Sequence, residues 1–172
     1  AQIECTSASS AILLQASSAL AAIEADVSHQ KHIISAGGID PLIAVLKGGS
    51  AAAQAFSAQA LANAAAYNAA DGQDAIVRGG AVPILLALLN VGKAQTPAAM
   101  ALANVASQNP ANQLAIAHAG GIAPLLALLN GRNMEAQVQA ASALSELARD
   151  NAETQAAIAK AGGIRPLLAL LA

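Results

Sequence analysis

Glycine pairs stand at Gly37-Gly38, Gly79-Gly80, Gly120-Gly121 and Gly162-Gly163, separated by steps of 42, 41 and 42 residues. Pro41, Pro83, Pro124 and Pro166 follow with the same steps. This repetition constrains the fold of the 172-residue chain more than any other feature. A repeat of this length is one supersecondary unit that cannot bury its apolar face alone and must stack on its neighbours. Each proline leads an apolar run, such as Leu42-Ile43-Ala44-Val45-Leu46 or the run 125–129.

One unit can be read residue by residue. A short helix over 112–119 ends at a glycine pair, because glycine adopts the left-handed conformation that terminates helices. The proline sits just inside the next helix, where its missing N–H costs nothing. That second helix, 122–129, is apolar on nearly all sides and is predicted to be buried. A polar loop, Asn130-Gly131-Arg132-Asn133, separates it from a longer helix over about 134–149. There Val138, Ala141, Leu144 and Leu147 are spaced for one apolar face. Each unit therefore holds three helices: short, short and long.

Composition supports an all-helical reading. Hydrophobic residues make up 56% of the chain, charged residues 10% and aromatics 1%. Phe56 and Tyr67 are the only aromatic residues, so alanine, leucine and isoleucine must supply the core. Alanine is the strongest helix former and permits close helix approach. The net charge of −2 lacks the basic excess that nucleic acid requires. No apolar run reaches the length of a membrane span. The lone Cys5 and the lack of a basic n-region before an apolar stretch lead us to expect an intracellular chain, cytoplasmic or nuclear.

The stretches NQLAIAHAGGIAPLLALLN (112–130) and EAQVQAASALSELA (135–148) resemble the first two helices and the third helix of an armadillo repeat. The resemblance recurs four times and covers essentially the whole chain. HEAT repeats, the nearest rival, are usually two-helix units without this glycine corner. The resemblance implies a right-handed superhelix of three-helix repeats with a concave groove lined by the third helices. The array divides into a third helix of a partial repeat at 1–26, with its helix over 7–25, complete repeats at 27–67, 68–108 and 109–150, and the first two helices of another at 151–172. Ser7, Ser9 and Ser10 read as the start of the opening helix.

In peptide-binding relatives the groove offers a tryptophan and, one turn later, an asparagine. This chain keeps the asparagine at Asn63 and Asn104, with Ala22 and Glu146 at the equivalent places. Ser18, Gln59, Met100 and Ser142 occupy the tryptophan position. The resemblance thus implies a peptide-binding set of Gln59, Asn63, Met100, Asn104, Ser142 and Glu146. An asparagine amide both donates and accepts, so it can hold a peptide backbone of any sequence; exposed polar residues on a solvated face are the plainer reading. Glu146 with Asp150 could favour a basic ligand. The absent tryptophans argue against a nuclear-localisation receptor.

The expected partner is a protein or an extended peptide, with no cofactor, no nucleic acid and no membrane. The apolar character of both ends adds a second expectation, head-to-tail self-association through Ile12, Leu13, Leu170 and Leu171, against the plainer reading of a piece of a longer array. Divergence between repeats outside the corners favours a natural or naturally derived array over a strict consensus design.

No convergent catalytic set is visible, so an enzyme is not expected. His29 and His32 are spaced i, i+3 near Asp26, which is half of a metal site at most, and no metal is expected. His118 corresponds to Lys160, a tolerant surface position. Cys5 has no basic neighbour in sequence to activate it. The glycine pairs lack the strand and the lysine of a phosphate loop.

Overall fold

The computed structural model describes residues 2–23, 34–66 and 70–171. Eleven helices are numbered here in chain order: α1 (Gln2–Ile23), α2 (Ile39–Gly48), α3 (Ala51–Ala64), α4 (Ala70–Arg78), α5 (Ala81–Leu88), α6 (Gln95–Ala106), α7 (Pro110–His118), α8 (Ile122–Leu129), α9 (Met134–Ala148), α10 (Ala152–Lys160) and α11 (Ile164–Ala169). A 3-10 turn, Gly92–Ala94, precedes α6. The described residues contain no strand, and the architecture is an all-α repeat solenoid. His29, His32, Asp26 and Tyr67 lie outside the described residues.

The long helices α1, α3, α6 and α9 pack side by side in chain order as one layer. Each second helix packs against the long helix that follows it: α2 on α3, α5 on α6 and α8 on α9. The core between layers is built from leucine and isoleucine on the short helices, such as Leu42, Leu46, Ile76, Leu85 and Leu125, and from alanine on the long ones. In α6, Ala98, Ala99, Ala101 and Ala106 are fully buried. Small side chains let the backbones of the long helices approach closely, and dense packing of this kind leaves little volume to spare.

The corner between first and second helix is a Schellman turn. At the end of α7, Gly120 N–H donates to the Ala117 carbonyl at 2.9 Å and Gly121 N–H to the Ile116 carbonyl at 3.0 Å. Gly120 has φ +81°, and Gly37, Gly80 and Gly162 are likewise left-handed. The left-handed residue is the first glycine of three pairs but the second of the pair at 79–80. There the helix starts at the very next residue, Ala81, so this turn is one residue shorter. The single 41-residue step arises elsewhere, because each glycine pair stands four residues before its proline in all four repeats and the missing residue falls between Pro83 and Gly120. The second glycine has a different role at Gly121 and Gly163. A Cβ there would approach Leu86 Cδ2 to 3.2 Å and Leu126 Cδ2 to 3.0 Å respectively. The corner of one repeat thus leaves room for a leucine of the repeat before it. α7 and α8 meet at 84° across this corner.

Three details differ from the sequence reading. α1 begins at Gln2, so Ser7, Ser9 and Ser10 are interior to the helix and do not start it. Serine is only mildly unfavourable inside a helix, and further along Ser17 donates back to the Leu13 carbonyl at 2.8 Å. α7 begins at Pro110 and not at 112, because the Asn109 side chain accepts from Asn112 N–H and caps a helix whose first position is proline. The buried stripe of α9 is Ala136, Ala140, Ala143, Leu144 and Leu147, while Val138 is 64% exposed. The stripe follows the small residues that fit against α6, which moves it off Val138.

The corner yields a stability prediction. A Cβ on Gly120 would meet no atom within 4 Å, so Gly120→Ala tests backbone conformation alone and is expected to cost about 1–2 kcal/mol. Gly121 is right-handed at φ −67°, so Gly121→Ala tests packing instead. Its Cβ would come to 2.8 Å from Ile116 Cγ2, 2.9 Å from the Ile116 carbonyl and 3.2 Å from Leu86 Cδ2, and the change is expected to cost more. Guanidinium unfolding of the two variants checks both the sign and the order.

Candidate functional site

Within the layer α3 and α6 are each walled by a long helix on either side, which leaves one narrow strip open. On α3 the partly open positions are Ala52, Ala55, Phe56, Gln59, Asn63 and Ala66, at helical spacing. On α6 they are Lys93, Thr96, Met100, Asn104 and Ser107. On α9 the strip is wider and includes Glu135, Val138, Ser142 and Glu146. All six residues of the sequence-derived peptide set therefore lie on the open side of the long-helix layer. Ser142 is exposed and the other five are half-buried.

The two asparagines occupy a joint that the sequence reading missed. Asn63 Nδ2 donates to the Ala21 carbonyl at 3.1 Å, and Asn104 Nδ2 donates to the Ala62 carbonyl at 2.8 Å. Both acceptors lie 42 residues back on the preceding long helix, and Ala62 is in the last turn of α3. That turn has carbonyls left without an intrahelical partner. The Ala66 N–H that could reach Ala62 bonds the Asn63 carbonyl instead, so the Asn104 amide satisfies the group left over. Gln59 Nε2 in turn donates to Asn63 Oδ1 at 2.9 Å. Asn63 therefore has one donor and one acceptor lone pair committed within the fold, and Asn104 has one donor. An asparagine amide offers two of each, so both residues retain capacity toward the open side.

Glu146 stands at the asparagine position of α9 but cannot donate. Its carboxylate is gripped by Arg149 at 2.8 and 3.2 Å. The hydrogen bond to Glu146, and then its charge, hold the Arg149 pKa above its ordinary value. The acid that could have drawn a basic ligand is thus partnered on its own helix.

Phe56 is the residue that sequence reasoning overlooked. It was given no role, yet it is 40% exposed, one turn before Gln59 on the same strip. Together with Ala52, Ala55, Gln59, Thr96 and Pro97 it lines a depression of about 460 Å³ whose rim carries Lys93, Asn133 and Glu135. The helical spacing of Phe56 with Gln59 and Asn63 was the available signal.

The C-terminal ends of the long helices are also tied by a second series of side-chain bonds. Gln73 Nε2 donates to the carbonyls of Asn104 at 3.0 Å and Ser107 at 3.1 Å, and Gln73 Oε1 accepts from Asn109 Nδ2 at 3.2 Å. One repeat on, Gln113 donates to the Ala106 carbonyl and accepts from Asn151 Nδ2 at 3.0 Å. Gln155 donates to the Ala148 carbonyl at 2.8 Å. Asn112 reaches the Val105 carbonyl, and Thr154 hydroxyl donates to that of Leu147.

The apolar residues singled out near the ends are open to solvent. Ile12 and Leu13 on α1, and Leu170 and Leu171 just past α11, all count as exposed, with Leu171 at 84%. Leu13 also lines a groove of about 430 Å³ between α1 and α2, with Leu20, Pro41, Leu42 and Val45. His118 Nε2 lies 3.0 Å from Glu153 Oε1 at an exposed site bridging α7 and α10. No single helix among the described residues is long and apolar enough to cross a membrane.

Residues 109–149 match the Armadillo/beta-catenin-like repeat family. Among solved structures, the chain is similar to an engineered protein from the Northeast Structural Genomics Consortium. The TM-score is 0.86 at 37% identity, over 92% of this chain and 65% of the other. A second engineered protein from the same consortium gives a TM-score of 0.85 at 33% identity, over 92% and 66%. A designed armadillo repeat protein in complex with the peptide (KR)4 gives 0.82 at 28% identity, over 92% and 66%. The chain thus spans just under two thirds of the length of each of these proteins. No curated protein matches it in sequence.

The joint makes a prediction that a purely peptide-facing asparagine would not. Asn104→Asp keeps the size but removes the donor and sets an oxygen against the Ala62 carbonyl. It is expected to lower stability by about 1–3 kcal/mol, read from urea midpoints at neutral pH. An unchanged midpoint would mean the bond contributes nothing.

Proposed function

This chain is an armadillo-repeat protein, and we propose that its long helices present a groove that holds an extended peptide segment by the backbone. The observation that carries this reading is the pair Asn63 and Asn104. They stand one repeat apart on the open strip, each amide pinned by a bond to the helix behind it. A side chain already fixed in place loses little entropy when it takes up a ligand, and such preorganisation favours binding. An extended backbone presents a donor and an acceptor at every residue, so paired amides can engage it whatever its side chains. The designed armadillo protein found with (KR)4 lends support at the level of the fold. Gln59, Met100, Ser142 and Glu146 complete the strip as neighbours of the segment. The role is binding, and no step of chemistry is assigned to it.

The test is fluorescence anisotropy with labelled eight-residue peptides of different sequence. Replacing Asn63 and Asn104 together by alanine is expected to weaken every peptide that binds by about tenfold or more, about the value of two hydrogen bonds. Unfolding curves of the variant set the temperature at which it is still folded. Undiminished binding by the folded double variant would sink the reading.

Association between copies is a second reading, favoured by the match of two apolar surfaces. Ile164, Leu168 and Leu171 are exposed on and beside α11, and the groove between α1 and α2 is apolar. Within the chain α8 packs on α9 and on α11. Setting α11 of one copy onto α1 and α2 of another would repeat that arrangement. Such a contact is heterologous and does not close on itself. Light scattering over a concentration series is expected to show mass rising with concentration, and Leu13→Asp or Leu171→Asp is expected to restore the monomer. A constant monomer mass in the unaltered chain would exclude it.

A further inference from the structure

We infer that the depression around Phe56 is a side-chain subsite for an apolar residue of an uncharged extended segment. The inference rests on the groove reading and adds a ligand class to it. The floor is Ala52, Ala55, Phe56 and Pro97, and the volume of about 460 Å³ lies within the roughly 300–1,000 Å³ of pockets that bury ligands. Leaving a phenyl ring 40% exposed beside Gln59 and Asn63 forgoes burial that a ligand side chain would supply. The place is right for it. Phe56 lies two turns before Asn63 on α3, about 10 Å along the helix axis. Side chains of an extended chain alternate between two sides, so alternate residues of a backbone held at the asparagines face this flank.

Charge decides between an apolar and a cationic side chain. An aromatic face can attract a cation, which makes lysine or arginine the competing occupant. At the rim, however, Lys93 is exposed and opposes a second cation, and Glu135 only balances it. Further along the strip, Glu146 is held by Arg149 at 2.8 and 3.2 Å. The strip therefore offers no unbalanced negative charge next to the ring, and it suits a neutral segment with an apolar side chain over Phe56.

Two labelled eight-residue peptides test this by anisotropy: one alternating leucine with serine, and (KR)4. The leucine peptide is expected to bind more tightly. Phe56→Ala is expected to weaken it about tenfold and to leave (KR)4 unchanged. Lys93→Glu, at an exposed position that leaves the fold intact, is expected to strengthen (KR)4 several-fold and spare the leucine peptide. Tighter binding of (KR)4 to the unaltered chain, or leucine-peptide binding indifferent to Phe56→Ala, overturns the subsite while the groove stands. An unchanged (KR)4 affinity in Lys93→Glu overturns the charge argument on which the subsite depends. Binding of neither peptide, or binding indifferent to the asparagine pair, removes the groove and the subsite together.

Discussion

The structure turns on the carbonyls at the ends of the long helices. An α-helix leaves its last four carbonyls without intrahelical partners, and here those ends are pressed against neighbouring repeats where water is scarce. A buried polar group without a partner costs about 1–3 kcal/mol, so a stack of such helices stands only if each end finds donors. The donors are neutral side chains from other elements. Asn63 and Asn104 serve the long helix behind them. Gln113 and Gln155, with Asn112 and Thr154, serve the long helix before them, and Gln73 serves the one after it. Amides and one hydroxyl satisfy carbonyls without bringing charge inside, which fits a chain with only 10% charged residues. Burying charge in their place would carry a far larger desolvation cost.

What could be read from the sequence was whatever is local. The corner is set by a glycine at the end of one helix and a proline in the first turn of the next, and both sit within a few residues of what they control. The apolar run behind Pro124 is likewise visible where it stands. Three other features were not visible, each for the same reason. The bond from Asn104 to Ala62 joins residues 42 apart, and no local pattern announces the acceptor. The burial of α9 is decided by how closely α6 approaches, so Val138 fits the helical period yet stays open. The short turn at Gly80 looks identical to the others in sequence, and only the left-handed φ at the second glycine separates it. The candidate site divides along the same line. Positions 59, 63, 100, 104, 142 and 146 followed from the family resemblance, whereas the pinning of the amides and the exposure of Phe56 depend on neighbours.

The asparagine ladder also breaks at a definite place. At α9 the amide is replaced by Glu146, which takes Arg149 as its partner. An ion pair at i, i+3 on an open helix face contributes only a few tenths of a kcal/mol to that helix and nothing to the joint with α6. In a stacked array stability is close to a sum over units and their nearest-neighbour contacts. The joint between α6 and α9 therefore relies more on its alanine packing than do the joints before it.

On the proposed groove reading the same two side chains have two tasks, and the tasks support each other. An amide free to rotate could meet a ligand in many orientations and would lose that freedom on binding. An amide already donating to the helix behind it has lost that freedom in folding, and its second N–H and its oxygen are held in a fixed direction. The bond that closes the joint between repeats is then also what orients the groove. A change that loosens the joint should disorder the contact surface before it unfolds the repeat, because the asparagine is the only element the two share. On that reading stability and recognition are coupled at Asn63 and Asn104 and separable at Phe56, whose ring lies on the open strip and takes no part in satisfying the helix ends.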